Sequence, residues 1–229
     1  EARKAIDAGL HTFIFSSNVA ISDELELKRH ASKKNLLLMG PDCGTSLIGG
    51  VGIGFANAVR KGVVGVIGAS GTGLQEFTCQ IHNSGLGISH AIGTGTNDVS
   101  DEIGGLTTLA ALDALERDPG TKIIVFVSKP PGKQMLATLL ERLDQTKKPS
   151  IGCFLGIDQL PAGHEKLKFA RTVDEAVIWV ISIEDKGPIP SKQTLLPEEL
   201  GWIKQEQDRY APEQQYLRGI FAGGTFCYQ

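Results

Sequence analysis

Residues Val63-Val-Gly-Val-Ile-Gly-Ala-Ser-Gly-Thr-Gly-Leu-Gln-Glu76 constrain the fold more than any other stretch: a short apolar run breaks into a Gly/Ser/Thr turn and continues with helical spacing. Val63, Val64, Val66 and Ile67 suit a strand buried on both faces of a parallel sheet. Gly68, Gly71 and Gly73 let the main chain turn sharply and come close to a ligand. A helix beginning near Thr72 presents unpaired N–H groups and the positive end of its dipole to an anion. Ser70, Gly71, Thr72 and Gly73 are therefore the expected anion- or phosphate-binding residues, the two hydroxyls adding donors. The turn is not a common nucleotide signature. Glu76 stands where the dinucleotide fingerprint needs its third glycine, and no P-loop pattern occurs anywhere in the chain.

Strand and helix patterns alternate through the rest of the chain, which implies an α/β fold with a parallel sheet built from βαβ units. Strands are expected at residues 11 to 15, 35 to 39, 63 to 68, 87 to 92, 122 to 127 and 150 to 155. Helices are expected at roughly 22 to 33, 73 to 84, 103 to 117, 132 to 145 and 172 to 183, with Ser22 and Thr172 as N-caps. The 28 glycines cluster between residues 40 and 105, as repeated strand-to-helix corners would require. Residues 46–62 lack a long amphipathic pattern and read as a connector. From about Lys186 a Pro- and Gln-rich composition reads as a linker with one or two surface helices.

In an open parallel sheet, ligands bind beyond the carboxyl ends of the strands, so the corners after them should converge on one crevice. Gly93-Thr-Gly-Thr-Asn-Asp98 is a second hydroxyl-rich corner, and Gly93, Thr94, Gly95, Asn97 and Asp98 are the expected substrate-binding residues. Asp98 or Ser100 could equally cap the helix that follows. Lys129 ends a strand and can pair with an anion, although an exposed lysine there is commonplace. Glu76 can assist proton transfer or simply sit in a first turn that favours acids. His164, in a polar loop after the last strand, is the histidine that could approach the crevice, whereas His90 reads as a core residue. Glu76, Lys129 and His164 are thus the catalytic candidates. Cys43 invites a nucleophile reading, against which stands a small residue buried in a tight loop.

A net charge of −3 gives no electrostatic footprint for nucleic acid. Four cysteines lie far apart with no C-x-x-C pair, so neither a metal site nor a disulfide framework is indicated and a reducing cytoplasm is the expected location. No apolar run reaches the about 18 residues of a membrane span. The chain opens on Glu1-Ala-Arg-Lys, neither signal peptide nor initiator Met, and its ends fall inside folded-looking units, so a piece of a longer protein is expected.

Met39-Gly-Pro-Asp-Cys-Gly-Thr45, Gly68-Ala-Ser-Gly-Thr-Gly-Leu-Gln-Glu76, Gly93-Thr-Gly-Thr-Asn-Asp98 and Ser128-Lys-Pro-Pro131 together resemble the FdrA family, acyl-CoA synthetase-like relatives of the succinyl-CoA synthetase α subunit. The resemblance covers nearly the whole chain. It implies that residues 1–45 are the second half of a CoA-binding Rossmann domain and 63–184 a flavodoxin-like ligase domain, with 185–229 a linker and the start of another domain. It implies CoA as cofactor at a site incomplete on this chain, and ATP with magnesium through a partner in a homo- or hetero-oligomer. It further implies a small acyl or carbamoyl substrate. In the synthetases a Ser-Gly-Thr turn like residues 70–72 holds the phosphate of a phosphohistidine, carried on a Gly-His-Ala-Gly loop after the last strand. Here only Gly163-His164 remains of that loop. Stepwise phosphate relay loses its nucleophile, and the activities implied are ligation without phosphohistidine, carbamoyl transfer in oxamate or allantoin breakdown, or CoA binding by a regulatory subunit.

Overall fold

A short βαβ layer comes first. In the computed structural model, which describes residues 1–157, 163, 164, 167–185, 197–211, 213, 214, 216 and 218–220, α1 (Ala2–Asp7) leads into β1 (Thr12–Phe13), α2 (Ile21–Lys33) and β2 (Leu38–Met39). β1 and β2 pair in parallel, and Ile6, Ala31 and Leu38 make the small core beneath them. Ser22 is not the N-cap expected of it. The chain enters from an extended Ala20 (φ −61°, ψ 142°), so the helix starts at Ile21 and Ser22 lies within its first turn.

Residues 46–62, read as a connector, largely form a hairpin of the main sheet. β3 (Thr45–Ile48) turns through Gly49 and Gly50, at φ +61° and +93°, into β4 (Val51–Gly54). Two successive positive φ angles are what a tight hairpin turn demands, and glycine supplies both without strain. β3 then pairs antiparallel with β6 (Ile88–Gly93).

The rest of the sheet is parallel. β5 (Lys61–Gly68), β7 (Ile123–Ser128), β8 (Ser150–Phe154) and β9 (Lys168–Ala170) complete seven strands in the order β4-β3-β6-β5-β7-β8-β9. Counted from β5, the parallel strands run 2-1-3-4-5, a doubly wound order whose direction reverses between β5 and β7. α3 (Gly71–Asn83) and α6 (Val173–Asp185) cover one face, while α4 (Leu106–Arg117) and α5 (Lys133–Asp144) cover the other. Strand side chains alternate between faces. Val64, Val66, Val125 and Val127 meet Leu74, Phe77 and Val177; Ile67, Ile124 and Phe126 meet Leu112, Leu115 and Leu139. Burial on both sides is why these strands read as unbroken apolar runs.

Helix starts depend on caps. Thr172 accepts the Glu175 N–H at 3.1 Å, as expected at the head of α6. α4 starts three residues later than the periodicity suggests, because Gly104 and Gly105 are both left-handed (φ +68° and +69°) and hold the chain out of the helix. Beyond α6, α7 (Pro197–Gln207) is a surface helix with no buried residue. Residues 221–229 lie outside the described residues. Among those described, no helix is long and apolar enough to cross a membrane.

Candidate anion-binding site

The turn from β5 into α3 is built as its sequence demands. Ser70 is the N-cap, extended at φ −130°, ψ 114°, and its Oγ accepts the Gly73 N–H at 3.0 Å. Leu74 N–H reaches back to the Ser70 carbonyl at 3.0 Å. The amides of Gly71 and Thr72 remain, and neither meets an acceptor among the described residues. They are two of the orphan donors that every helix start exposes, at the positive end of a 13-residue helix.

A cleft forms around this turn. Its walls are Gly68–Gly71 with Leu74, the Asp42–Thr45 loop, and Gly93 and Gly95 from the corner after β6. The glycines are required by contact: a Cβ on Gly93 would collide with the Thr45 carbonyl and Cys43 Sγ, and one on Gly95 with the Pro41 carbonyl. The cleft is narrow, with a cavity volume of about 10 Å³, room for about one water-sized group. It does not enclose the body of CoA.

Several candidate residues have other work. Asp98 is completely buried: Oδ1 accepts Lys28 Nζ (2.6 Å) and Thr107 N–H (3.0 Å), and Oδ2 accepts Thr108 N–H (2.8 Å) and Oγ1 (2.6 Å). It caps α4 from eight residues upstream and has no oxygen left for a substrate. Asp101 likewise caps α5 by accepting Met135 N–H at 2.9 Å. Asn97 donates to Glu24 at 3.1 Å, and Thr94 is buried with its N–H on the Gly68 carbonyl at 2.9 Å. Glu76 accepts from Gln80 at 2.8 Å, a side chain that also reaches Asp174 of α6, and it does not line the cleft. Lys129 follows β7 at the same end of the sheet, without an ion-pair partner among the described residues and outside the cleft wall.

His164 is at the wrong end of the molecule. Its Nδ1 lies 2.5 Å from Asp144, the last residue of α5, a helix of 12 residues and so about 18 Å long. α5 starts where β7 ends, beside the cleft, so its far end is across the sheet from the anion turn. The other histidines are also engaged structurally. Nδ1 of His11, His82 and His90 accepts the backbone N–H of Leu37, Arg60 and Gly49, and His30 bonds Asp7. No histidine lines the cleft.

Cys43 does line it, yet as a thiol rather than a thiolate. Burial pushes its pKa up, and the contact with Ser46 Oγ at 3.8 Å and the charge of Lys28 offset this only in part. Among the described residues no cluster of His, Cys, Asp and Glu could hold a metal. What sequence reasoning missed is Lys28, which is 2% exposed and bonded to Thr94 and Asp98. In a helix that also carries Arg29, His30 and Lys33, nothing local distinguishes it.

Compared with known proteins, residues 59–154 match the family model for the CoA binding domain. The match falls on β5 through β8, with the anion turn inside it, rather than on residues 1–45. The chain is 44% identical over 227 residues to the uncharacterized protein YahF of Escherichia coli strain K12, covering 99% of this chain and 44% of that protein. It is 27% identical over 137 residues to the succinate–CoA ligase [ADP-forming] α subunit of Methanothermobacter thermautotrophicus, covering 58% and 45% of the two. The ATP citrate lyase of Methanothrix soehngenii, solved with citrate and coenzyme A, superposes with a TM-score of 0.62 at 16% identity, over 96% of this chain and 43% of that one. The chain spans about half the length of the curated relatives it matches. Residues 59–154 are thus similar to the CoA binding domain, the chain is similar in sequence to α subunits of succinate–CoA ligases, and its fold is that of the acyl-CoA synthetase structures.

Proposed function

We propose that this chain is the anion-handling part of an acyl-CoA synthetase-like protein of FdrA type, holding the phosphate or carboxylate of a small acyl or carbamoyl substrate at the first turn of α3. One observation carries the reading: the amides of Gly71 and Thr72 at the head of α3 meet no acceptor among the described residues, and Gly71 lines a cleft walled by glycine on two sides. Two N–H groups fixed by the helix, with its dipole behind them, need no rearrangement as charge develops on a phosphate oxygen. The Ser70 hydroxyl holds the turn in shape by accepting the Gly73 N–H, and the Thr72 hydroxyl adds a donor in the first turn of α3. Lys129 contributes positive charge at the same end of the sheet. CoA, when bound, supplies the thiol that receives an acyl group. His164, bonded to the last residue of α5 and outside the cleft lining, takes no part, which favours direct use of an acyl or carbamoyl phosphate over relay through a phosphohistidine. ATP with magnesium, and the rest of the substrate site, belong to a partner or to further domains.

Titration of the full chain with inorganic phosphate, acetyl phosphate, carbamoyl phosphate and CoA, followed through the amide resonances of Gly71 and Thr72, tests this. The three phosphates are expected to move both resonances. Shifts from none of them sink the reading, and tight CoA binding in that case favours a regulatory CoA-binding subunit.

A further inference from the structure

Lys28 stands apart from every other cation described. Of the basic residues on α2, Lys28, Arg29, His30 and Lys33, it alone is buried. A buried ammonium is tolerated only when its protons are all bonded, and each of the three here finds an oxygen. Asp98 Oδ1 lies at 2.6 Å, the Thr94 carbonyl at 2.8 Å and Thr107 Oγ1 at 2.9 Å, with Glu24 one helical turn back at 3.4 Å. Well-packed apolar side chains commonly replace buried ion pairs without loss of stability, so packing alone does not call for lysine here. What an apolar side chain cannot do is hold the Thr94 carbonyl.

That peptide is where the walls of the cleft meet. Thr94 lies between Gly93 and Gly95, both of which line the cleft. Its N–H bonds the Gly68 carbonyl at 2.9 Å, at the start of the anion turn. Its carbonyl also accepts the Gly40 N–H at 3.3 Å, from the loop that continues into the opposite wall. We propose that Lys28 is a positioning residue for the anion cleft: its ammonium, delivered from the first βαβ layer, fixes the Thr94 peptide and so sets the distance between the Gly93–Gly95 wall and the Gly71 and Thr72 amides. The inference rests on the anion reading of the cleft and deepens it, because it makes the site a joint product of both layers. Lys28 does not touch the anion. Asp98 and Glu24 face its charge, and its effect passes through the peptide.

The test compares Lys28→Met with Leu143→Ala, a core substitution at the far end of α5, each checked by thermal melting. Inorganic phosphate is titrated into both full-length variants, following the Gly71 and Thr72 amides. Lys28→Met is expected to bind phosphate about tenfold more weakly, the factor that follows if the displaced wall costs the anion one amide hydrogen bond. Leu143→Ala should bind as the wild type does, and Lys28→Arg, which keeps donors for Thr94 and Asp98, should recover part of the loss. Wild-type affinity in Lys28→Met overturns the proposal. If wild-type protein binds no phosphate, the anion reading fails, and Lys28 is judged by amide exchange at Thr94 and Gly95. Faster exchange there in Lys28→Met but not in Leu143→Ala supports positioning; equal exchange overturns it. If Lys28→Met does not fold, the wild type decides: a slowly exchanging ammonium resonance coupled to the Thr94 carbonyl carbon is expected, and its absence refutes the contact.

Discussion

Replacing Gly71 by proline should weaken anion binding while leaving the fold intact or slightly more stable. Gly71 is the first residue of α3, the one helical position where proline is favoured, since the N–H it lacks has no intrahelical partner. The residue before a proline must be extended, and Ser70 already is, at φ −130°, ψ 114°. A Cβ at position 71 meets only Thr45 Oγ1, at an ordinary 3.7 Å. Restricting the unfolded chain contributes about 0.4–1 kcal/mol of stability, which for a domain of this size is a rise in Tm of roughly 1–4 °C. The same change removes one of the two free amides. A hydrogen bond to a charged group contributes about 1.5–3 kcal/mol, so phosphate affinity should fall about 10- to 150-fold. Calorimetric titration with phosphate, paired with thermal melts, reads both quantities on one sample. An affinity within twofold of wild type, in a variant that melts no lower, would refute the assignment of the Gly71 amide to the anion.

Asp98→Ala should cost about 2–5 kcal/mol in urea unfolding, because Lys28 loses a charge-assisted hydrogen bond, keeping only Glu24 at 3.4 Å as counter-charge, and the head of α4 loses its cap. His164→Asn should leave phosphate affinity unchanged, and a loss above threefold would place His164 in the site after all. Cys43 and Cys153, both buried, should resist alkylation at neutral pH in the native protein, as judged by mass spectrometry. Desolvation pushes the Cys153 thiol up to about 12, whereas an unfolded cysteine ionises near about 8.5. Above that pH the unfolded state loses a proton that the folded state keeps. Stability conferred by Cys153 is therefore full below pH about 8.5 and should fall by about 1.4 kcal/mol per pH unit above it. Urea titrations at several alkaline pH values should show a shallower decline in Cys153→Ala than in the wild type.

The parallel core was legible because its strands are buried on both faces and so carry unbroken apolar runs, as Ile123–Ser128 does. The anion turn was legible because its cap is local: Ser70 bonds a residue three positions on. Asp98 and Asp101 were harder, for each caps a helix that begins well downstream, and a carboxylate close to a glycine corner reads equally as cap or ligand. The hairpin at 45–54 escaped because Val51-Gly-Ile-Gly alternates with glycine and has too little apolar content to signal a strand. Lys28 escaped for a different reason. Its hydrogen-bond partners lie 66 to 79 residues away, and the local Glu24 pair reads as an ordinary helix-surface i,i+4 pair.

The same glycine-rich, weakly apolar sequence that hid the hairpin has a use at the rim of the sheet. Without β3 and β4, the outermost strand beyond β5 would be β6, whose Ile88, Ala91 and Ile92 are almost fully buried. An apolar strand with open N–H and C=O groups is a template on which other chains polymerise. The hairpin covers it and puts in its place four residues, two of them glycine, too short and too featureless to recruit a neighbour. The segment that leads out of the cleft thus also keeps one copy of this protein from growing onto the next.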